Sequence, residues 1–257
     1  MARLHLLGTG AAVSDAHRTT TMLAVSSRNS TVVVDCGGDV VQRLLATGLD
    51  LESIISLILT HEHPDHVGGF PLFMEKIWLA GRRRPISVSG ISTALDQARR
   101  IFESFDTSSW AGMPAIEWNE IEHAKRVLVL EDDSWRIHAS AVAHAVPTIG
   151  LRIEDVHDGS VIAYSCDTEP TESVVELAEE ADILVHEATG EGHGHTSIED
   201  AARAARAARA ERLLLVHLPP GVSEDDLGEA RRIFPNTELG RELGTYTFRA
   251  TQEGAIH

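Results

Sequence analysis

The apolar run Ile54–Leu59 passes without a break into Thr60-His61-Glu62-His63-Pro64-Asp65-His66, and this junction constrains the chain more than any other stretch. A short, unbroken apolar run is the pattern of a buried strand. Three imidazoles and the Asp65 carboxylate within six positions, on a loop leaving that strand, are hard to explain by packing. Loops at the ends of buried strands are where a rigid scaffold carries catalytic groups. Nitrogen and carboxylate donors of this kind suit Zn²⁺. Pro64 limits the backbone freedom of the loop, and Gly68 and Gly69 permit close backbone approach to an ion or substrate.

One loop does not complete two metal sites, so further donors are expected at other strand ends. Ala141–His144 ends a strand in a histidine, Ile162–Asp167 ends one in an aspartate, and Leu213–His217 ends one in a histidine. Each alone is weak, because a single histidine at a strand end is more often structural than a ligand. Their order after His61–His66 and their shared position at strand termini carry the inference. The chain has fourteen histidines, and histidine is the commonest metal ligand near neutral pH.

Periodicity places strands at Leu4–Leu7, Thr31–Val34, Ile54–Leu59, Ile86–Ser89, 127–130, 135–143, 148–154, 160–165, 182–186, 212–217 and 245–249. Helices are expected at Asp39–Ala46, Phe70–Ala80, Ser92–Phe105, 171–181, 197–210 and 223–233. Thr196 and Glu199 form a capping box for the alanine-rich helix, whose Arg203, Arg206 and Arg209 spread over a solvated face. Residues 106–126 are irregular, with Trp110, Met113 and Trp118 as either a lid over a pocket or ordinary packing. Strands gathered in two zones with helices between and after them predict an α/β fold. Its form is a four-layer αββα sandwich of two mixed sheets, in one domain spanning 1–257.

With 43% hydrophobic residues the chain can bury a large core. It lacks the roughly 18 to 20 apolar residues in a row that a membrane span needs. The segment Met1–Thr9 reads as a strand rather than a signal peptide. Cys36 and Cys166 are the only cysteines, too few for a disulfide scaffold; a reducing cytoplasm with both thiols free is the expectation. The net charge of −17 opposes polyanions at long range. The one dense basic run, Arg82-Arg83-Arg84, reads as a solvated loop end.

These residues resemble the metallo-β-lactamase superfamily from Gly8-Thr9-Gly10 to His217, and its ribonuclease Z-like branch in particular. The loop at 61–66 is similar to the HxHxDH motif. His144-Ala-Val-Pro-Thr-Ile-Gly-Leu-Arg resembles the segment around the branch's third-motif histidine. Ser165-Cys166-Asp167-Thr168 resembles Ser-Gly-Asp-Thr, with Cys for Gly, and His186-Glu187-Ala188-Thr189 matches the HEAT signature. His195-Thr196-Ser197 is similar to His-Ser-Thr, transposed. The resemblance implies two divalent metal ions, with zinc favoured and manganese or iron also compatible. One would be held by His61, His63 and His144, the other by Asp65, His66 and His217, with Asp167 bridging. It further implies that Asp65 orients or deprotonates water, that His195 donates a proton to the leaving oxygen, and that Glu187 fixes the His195 ring. By the same resemblance Asp35 is expected to brace the histidine loop; His186, at a strand end, reads as structural, and His193 has no clear role.

The branch also implies a homodimer, for which Phe70–Leu79 is the candidate interface, and a long arm that grips transfer RNA. That arm lies between the third-motif histidine and the bridging aspartate, where this chain has only 22 residues, read as one hairpin. Together with the acidic charge this disfavours RNA. The expected activity is a phosphodiesterase acting on a small or accessible phosphodiester. The alternatives are a transfer-RNA 3′-processing endonuclease, a lactone, thioester or sulfate ester hydrolase on the same scaffold, and a metal-dependent binding module without catalysis.

Overall fold

A computed structural model describes residues 2–13 and 15–249; Met1, Ser14 and residues 250–257 of the expected 1–257 domain lie outside the described residues. Strands β1 (Arg3–Gly8), β2 (Met22–Ser27), β3 (Ser30–Val34), β4 (Ile54–Leu59), β5 (Ile86–Gly90) and β6 (Ile116–Glu120) form one sheet, joined by β14 (Gly244–Thr247) from the far end of the chain. Its order is β14-β1-β2-β3-β4-β5-β6, antiparallel up to β3 and parallel beyond it. The second sheet contains β7 (Val127–Glu131), β8 (Trp135–Val142), β9 (Thr148–Asp155), β10 (Val161–Tyr164), β11 (Ile183–Glu187), β12 (Leu213–Val216) and β13 (Thr237–Leu239). It runs antiparallel from β7 to β10 and parallel from β10 to β13.

Alternation along β10, β11 and β12 shows why these segments are apolar on both faces until His186 and Glu187 at the end of β11. Ile162, Tyr164, Ile183, Val185, Leu214 and Val216 join the core shared with the first sheet. Val161, Ala163, Leu184, Leu213 and Leu215 join a second cluster. That cluster is completed by α5 (Glu172–Leu177), α6 (Ile198–Ala207) and α7 (Gly228–Ile233). Strands covered on both faces lose the polar-out half of the usual pattern. On the other side α1 (Val40–Ala46), α3 (Phe70–Leu79) and α4 (Ser92–Glu103) bury Val40, Leu44, Phe70, Phe73, Ala94 and Phe102. The single turn α2 (Pro64–Val67) carries Asp65 and His66. The architecture is the expected four-layer αββα sandwich.

Several local expectations need correction. Strands β2, β6 and β13 go unread in the pattern: β6 is a poorly buried edge, and β13 has only three residues. In the 106–126 segment both tryptophans pack against aromatic neighbours, one of its two expected readings. Trp110 stacks on Trp78 with centroids 4.9 Å apart, and Trp118 lies on β6 against Phe70. The alanine-rich helix is capped one residue later than expected. Ser197 is its N-cap and accepts from the Asp200 N–H, whereas the Thr196 hydroxyl donates to the Thr168 carbonyl. The helix expected at 223–233 is split into a 3₁₀ turn, Glu224–Leu227, and α7. Arg82 is not a solvated loop residue: it is buried and donates to the carbonyls of Leu51, Ile54 and Pro85. The residues between β9 and β10 form a tight turn, as expected.

Candidate metal centre

The parallel strands β4, β10, β11 and β12 end at Leu59, Tyr164, Glu187 and Val216, just ahead of or at the residues singled out by sequence. Ligand sites of α/β sheets lie beyond such carboxyl ends. Non-glycine residues adopt left-handed backbone at two of these exits, Cys166 after β10 (φ 53°) and His217 after β12 (φ 52°), and at Asp35 after the neighbouring β3 (φ 61°). Such conformations cost energy and persist where surrounding structure holds them.

All seven candidate ligands come together. His61 Nε2 is 3.0 Å from His63 Nδ1, which is 3.3 Å from His144 Nε2. Asp167 Oδ2 lies 3.9 Å from His61 Nε2 and 4.0 Å from His144 Nε2. On its other side, Asp167 Oδ2 is 3.5 Å from His66 Nε2 and 3.3 Å from His217 Nε2. Asp65 Oδ2 completes this second group, 3.3 Å from His217 Nε2 and 3.6 Å from His66 Nε2. One carboxylate oxygen thus stands between two sets of donors.

The rings are aimed by contacts on their far sides. His66 Nδ1 is 2.8 Å from Asp35 Oδ2, and the Asp35 carboxylate also accepts from the backbone N–H and hydroxyl of Thr60. His217 Nδ1 meets the Thr189 hydroxyl at 2.7 Å, and His144 Nδ1 donates to the Gly194 carbonyl at 2.7 Å. His61 Nδ1 faces the Thr60 hydroxyl at 3.1 Å and the Cys166 thiol at 3.6 Å. Partners of this kind fix the tautomer that leaves the inner nitrogen free to bind. Asp35 was legible in sequence. Thr189, Gly194 and Cys166 had no assigned role, because nothing local distinguishes them from turn residues.

The glycines after the histidine loop serve packing rather than an open site. A Cβ on Gly69 would meet the Gly38 carbonyl oxygen at 2.2 Å, and one on Gly37 would meet the Asp65 carbonyl oxygen at 1.7 Å. These close contacts press the loop after β3 onto the turn that carries Asp65 and His66.

Charge in the cluster is arranged for a cation. Burial pushes the His61 and His144 imidazoles below their ordinary values, well below for His61. Burial alone would raise Asp167, yet His217 and His66 hold it well below the carboxylate range. For His66 burial is outweighed by Asp167 and Asp35, which raise it. Burial likewise opposes ionisation of Asp65, and the His217 hydrogen bond keeps its pKa lowered. His66 Nε2 and Asp167 Oδ1 are buried without any hydrogen-bond partner. Orphans of this kind cost about 1–3 kcal/mol each when nothing meets them. Nitrogens bound tetrahedrally at about 2.0–2.1 Å from zinc stand roughly 3.3 Å apart, close to the His63–His144 spacing of 3.3 Å. The donor set fits divalent cations.

His195 lies beside this centre, its ring 5.1 Å from that of His144 and 5.6 Å from that of His217. His195 Nδ1 is 3.2 Å from Glu187 Oε1, and this bond raises the imidazole against the opposing effect of burial. The fully buried Glu187 carboxylate also accepts from the N–H groups of Thr189 and Thr196. His186 is buried with Nδ1 2.7 Å from the Glu187 carbonyl, a structural contact. His193 is 87% exposed. Cys36 and Cys166 are both free and buried.

Two mixed sheets with a histidine–aspartate cluster at their strand ends define a metallo-β-lactamase-fold protein, a fold that implies divalent metal ions. A family model described as the beta-lactamase superfamily domain matches residues 30–218, and the chain belongs to that family, in its ribonuclease Z-like branch. Ribonuclease Z of Methanothermobacter thermautotrophicus is 25% identical over 307 positions, covering 97% of this chain and 98% of the relative. That alignment is longer than the 257-residue chain, so the relative carries insertions absent here. The structure of human tRNase Z, short form, superposes with a TM-score of 0.79 at 22% identity, over 96% of this chain and all of that one (100%). A diphosphatase of the PhnP family gives a TM-score of 0.71 at 19% identity, over 97% and 98% of the two chains.

Proposed function

We propose that the chain is a two-metal phosphodiester hydrolase, with zinc as the favoured metal, acting on a small or accessible diester. The observation that carries this reading is Asp167 Oδ2 between two donor groups, with His66 Nε2 and the second Asp167 oxygen, Oδ1, buried without hydrogen-bond partners. In this reading His61, His63 and His144 hold one cation, Asp65, His66 and His217 the other, and Asp167 both. When bound, such a pair supplies Lewis acidity toward a phosphoryl oxygen and lowers the pKa of water.

The remaining work falls to side chains. Asp65, oriented by His217, accepts a hydrogen bond from the attacking water and directs its lone pair at phosphorus. His195 keeps Nε2 toward the site because Nδ1 is engaged by Glu187; raised by that carboxylate, it carries the proton that the leaving oxygen takes. Glu187 acts through His195 and through the loop it anchors.

The names of the relatives, a ribonuclease, a tRNase and a diphosphatase, support phosphoester chemistry. RNA cleavage is the second reading, favoured by the near-complete coverage of ribonuclease Z. Against it stand the tight β9–β10 turn, with no arm between His144 and Asp167, and the charge of −17. The free buried thiols fit a reducing cytoplasm. No helix among the described residues is long and apolar enough to cross a membrane. The homodimer implied by the branch would use α3, where Leu72 and Leu79 are exposed.

Elemental analysis of the purified protein together with turnover of bis(p-nitrophenyl) phosphate, precursor transfer RNA, a lactone, a thioester and an aryl sulfate tests the reading. Two transition-metal ions per chain with diester turnover support it. Cleavage of the RNA alone, or of a different ester alone, replaces it, and a metal-replete protein that turns over nothing but binds a partner is a binding module.

A further inference from the structure

Between the end of β11 at Glu187 and the start of α6 at Ile198, the segment 189–196 folds into a small closed loop. The Gly190 N–H donates to the Thr196 carbonyl at 3.1 Å, and the His195 N–H to the Gly192 carbonyl at 3.2 Å. Gly190 and Gly194 occupy positive φ, 124° and 84°. Glycines at these angles leave the backbone weakly restrained, so outside contacts must set where the loop lies. The Glu187 carboxylate holds the base, bonding the N–H of Thr189 and of Thr196 at 2.8 Å each.

The tip is held by a residue that the reaction does not use. Glu169 Oε1 accepts from the Gly194 N–H at 2.8 Å and lies 3.3 Å from His193 Nδ1. The Glu169 N–H donates to the Ala143 carbonyl at 2.7 Å, next to His144 in sequence. The other face of the same peptide segment bears on His144, whose Nδ1 donates to the Gly194 carbonyl. The fit there is tight: a Cβ on Gly194 would stand 2.6 Å from His144 Nδ1.

We infer that Glu169 is a positioning residue, a latch that fixes the 189–196 loop through Gly194 and so sets the His144 and His195 rings together. The inference rests on the roles proposed above for those two histidines. With Nδ1–H given to the Gly194 carbonyl, the His144 lone pair at Nε2 points toward His63 and Asp167. Releasing Gly194 removes that tautomer lock and lets His195 swing with the loop. The contact with His193 contributes little, since both partners are solvated, and such pairs are weak. The hydrogen bond accepted from the Gly194 backbone N–H is the working part.

The test uses the full chain loaded with zinc, in the variants Glu169→Ala, Glu169→Gln, His193→Ala and Gly194→Ala. Zinc affinity is read by competition with a chromophoric chelator, and the loop by hydrogen–deuterium exchange of residues 189–196. Glu169→Ala is expected to weaken zinc binding by about tenfold or more, the usual effect of losing a ligand's supporting contact, and to speed exchange in the loop. Glu169→Gln, which still accepts from Gly194, should restore both to within about threefold of wild type, and His193→Ala should match wild type. Gly194→Ala, which leaves Glu169 intact and crowds His144, should also weaken zinc binding. Unchanged exchange and affinity in Glu169→Ala, equal losses in Ala and Gln, or unchanged affinity in Gly194→Ala each overturn the latch. A wild type that binds fewer than two zinc ions sinks the functional reading instead, while the exchange comparison still decides whether Glu169 holds the loop.

Discussion

Asp167 Oδ2 lies within 4.0 Å of nitrogen atoms on His61, His66, His144 and His217, so both donor groups depend on one side chain. Asp167→Ala should reduce bound metal below two ions per chain and abolish diester turnover, measured by elemental analysis and a chromogenic assay. His195→Ala separates binding from proton transfer: metal content should hold while kcat falls by about a hundredfold or more. Loss of metal in that variant would show His195 to be a ligand rather than an acid. A different histidine carries a pH effect on stability. His5 is buried between Ser26 and Thr245, and burial followed by Arg3 lowers its pKa from 6.5 to about 4. The folded chain keeps this ring neutral, whereas the unfolded chain binds a proton below pH 6.5, so stability is lost as pH falls from 6.5 toward 4. Between about pH 7.5 and about pH 5 the loss is on the order of 2 kcal/mol. Urea midpoints of wild type and His5→Gln at the two pH values check it, the variant showing the smaller drop.

Secondary structure follows the local pattern closely where an element is long or covered on both faces, and poorly at its ends. The α6 cap illustrates this. Thr196-Ser197 offers two adjacent hydroxyls, and both Glu199 and Asp200 lie near capping spacing. Tertiary contacts decide between them: Thr196 is drawn to the Thr168 carbonyl and the Glu187 carboxylate, which leaves Ser197 to cap. Ser197→Ala should therefore destabilise the fold by about 1 kcal/mol. Glu199→Ala should stay within about 0.5 kcal/mol of wild type; thermal or urea unfolding of both variants measures the difference. The edge strand β6 is hidden for a related reason. Its Glu117, Asn119 and Glu120 face water, so it lacks the apolar density that marked β4 and β12.

Across the molecule, the two sheets share one core, and the candidate centre sits where their strand ends meet. Cations held there bind the folded chain and not the unfolded one, so they stabilise it by mass action, by roughly 3 kcal/mol at a hundredfold excess over Kd. For a chain of this size that corresponds to about 5–10 °C in Tm. Calorimetry with and without a strong chelator should show that drop, recovered by adding zinc; an unchanged Tm would mean that the donor cluster does not bind metal in the native state. The net charge of −17 adds a solution-scale constraint, opposing the long-range approach of extended polyanions.

The amino-acid order alone specifies the layered fold and the candidate donors, because buried parallel strands must be apolar at every position and polar groups can then cluster only where the strands end. His61 through His66, His144, Asp167 and His217 are visible for that reason, each standing just past an apolar run. Tertiary structure alone decides what stands behind those rings. Thr189, Gly194, Cys166 and Glu169 lie 25 or more residues from the ring or backbone N–H they support, or act through backbone atoms that no side-chain pattern encodes. Packing of the two sheets brings such distant groups within hydrogen-bonding reach, and no local periodicity records that approach.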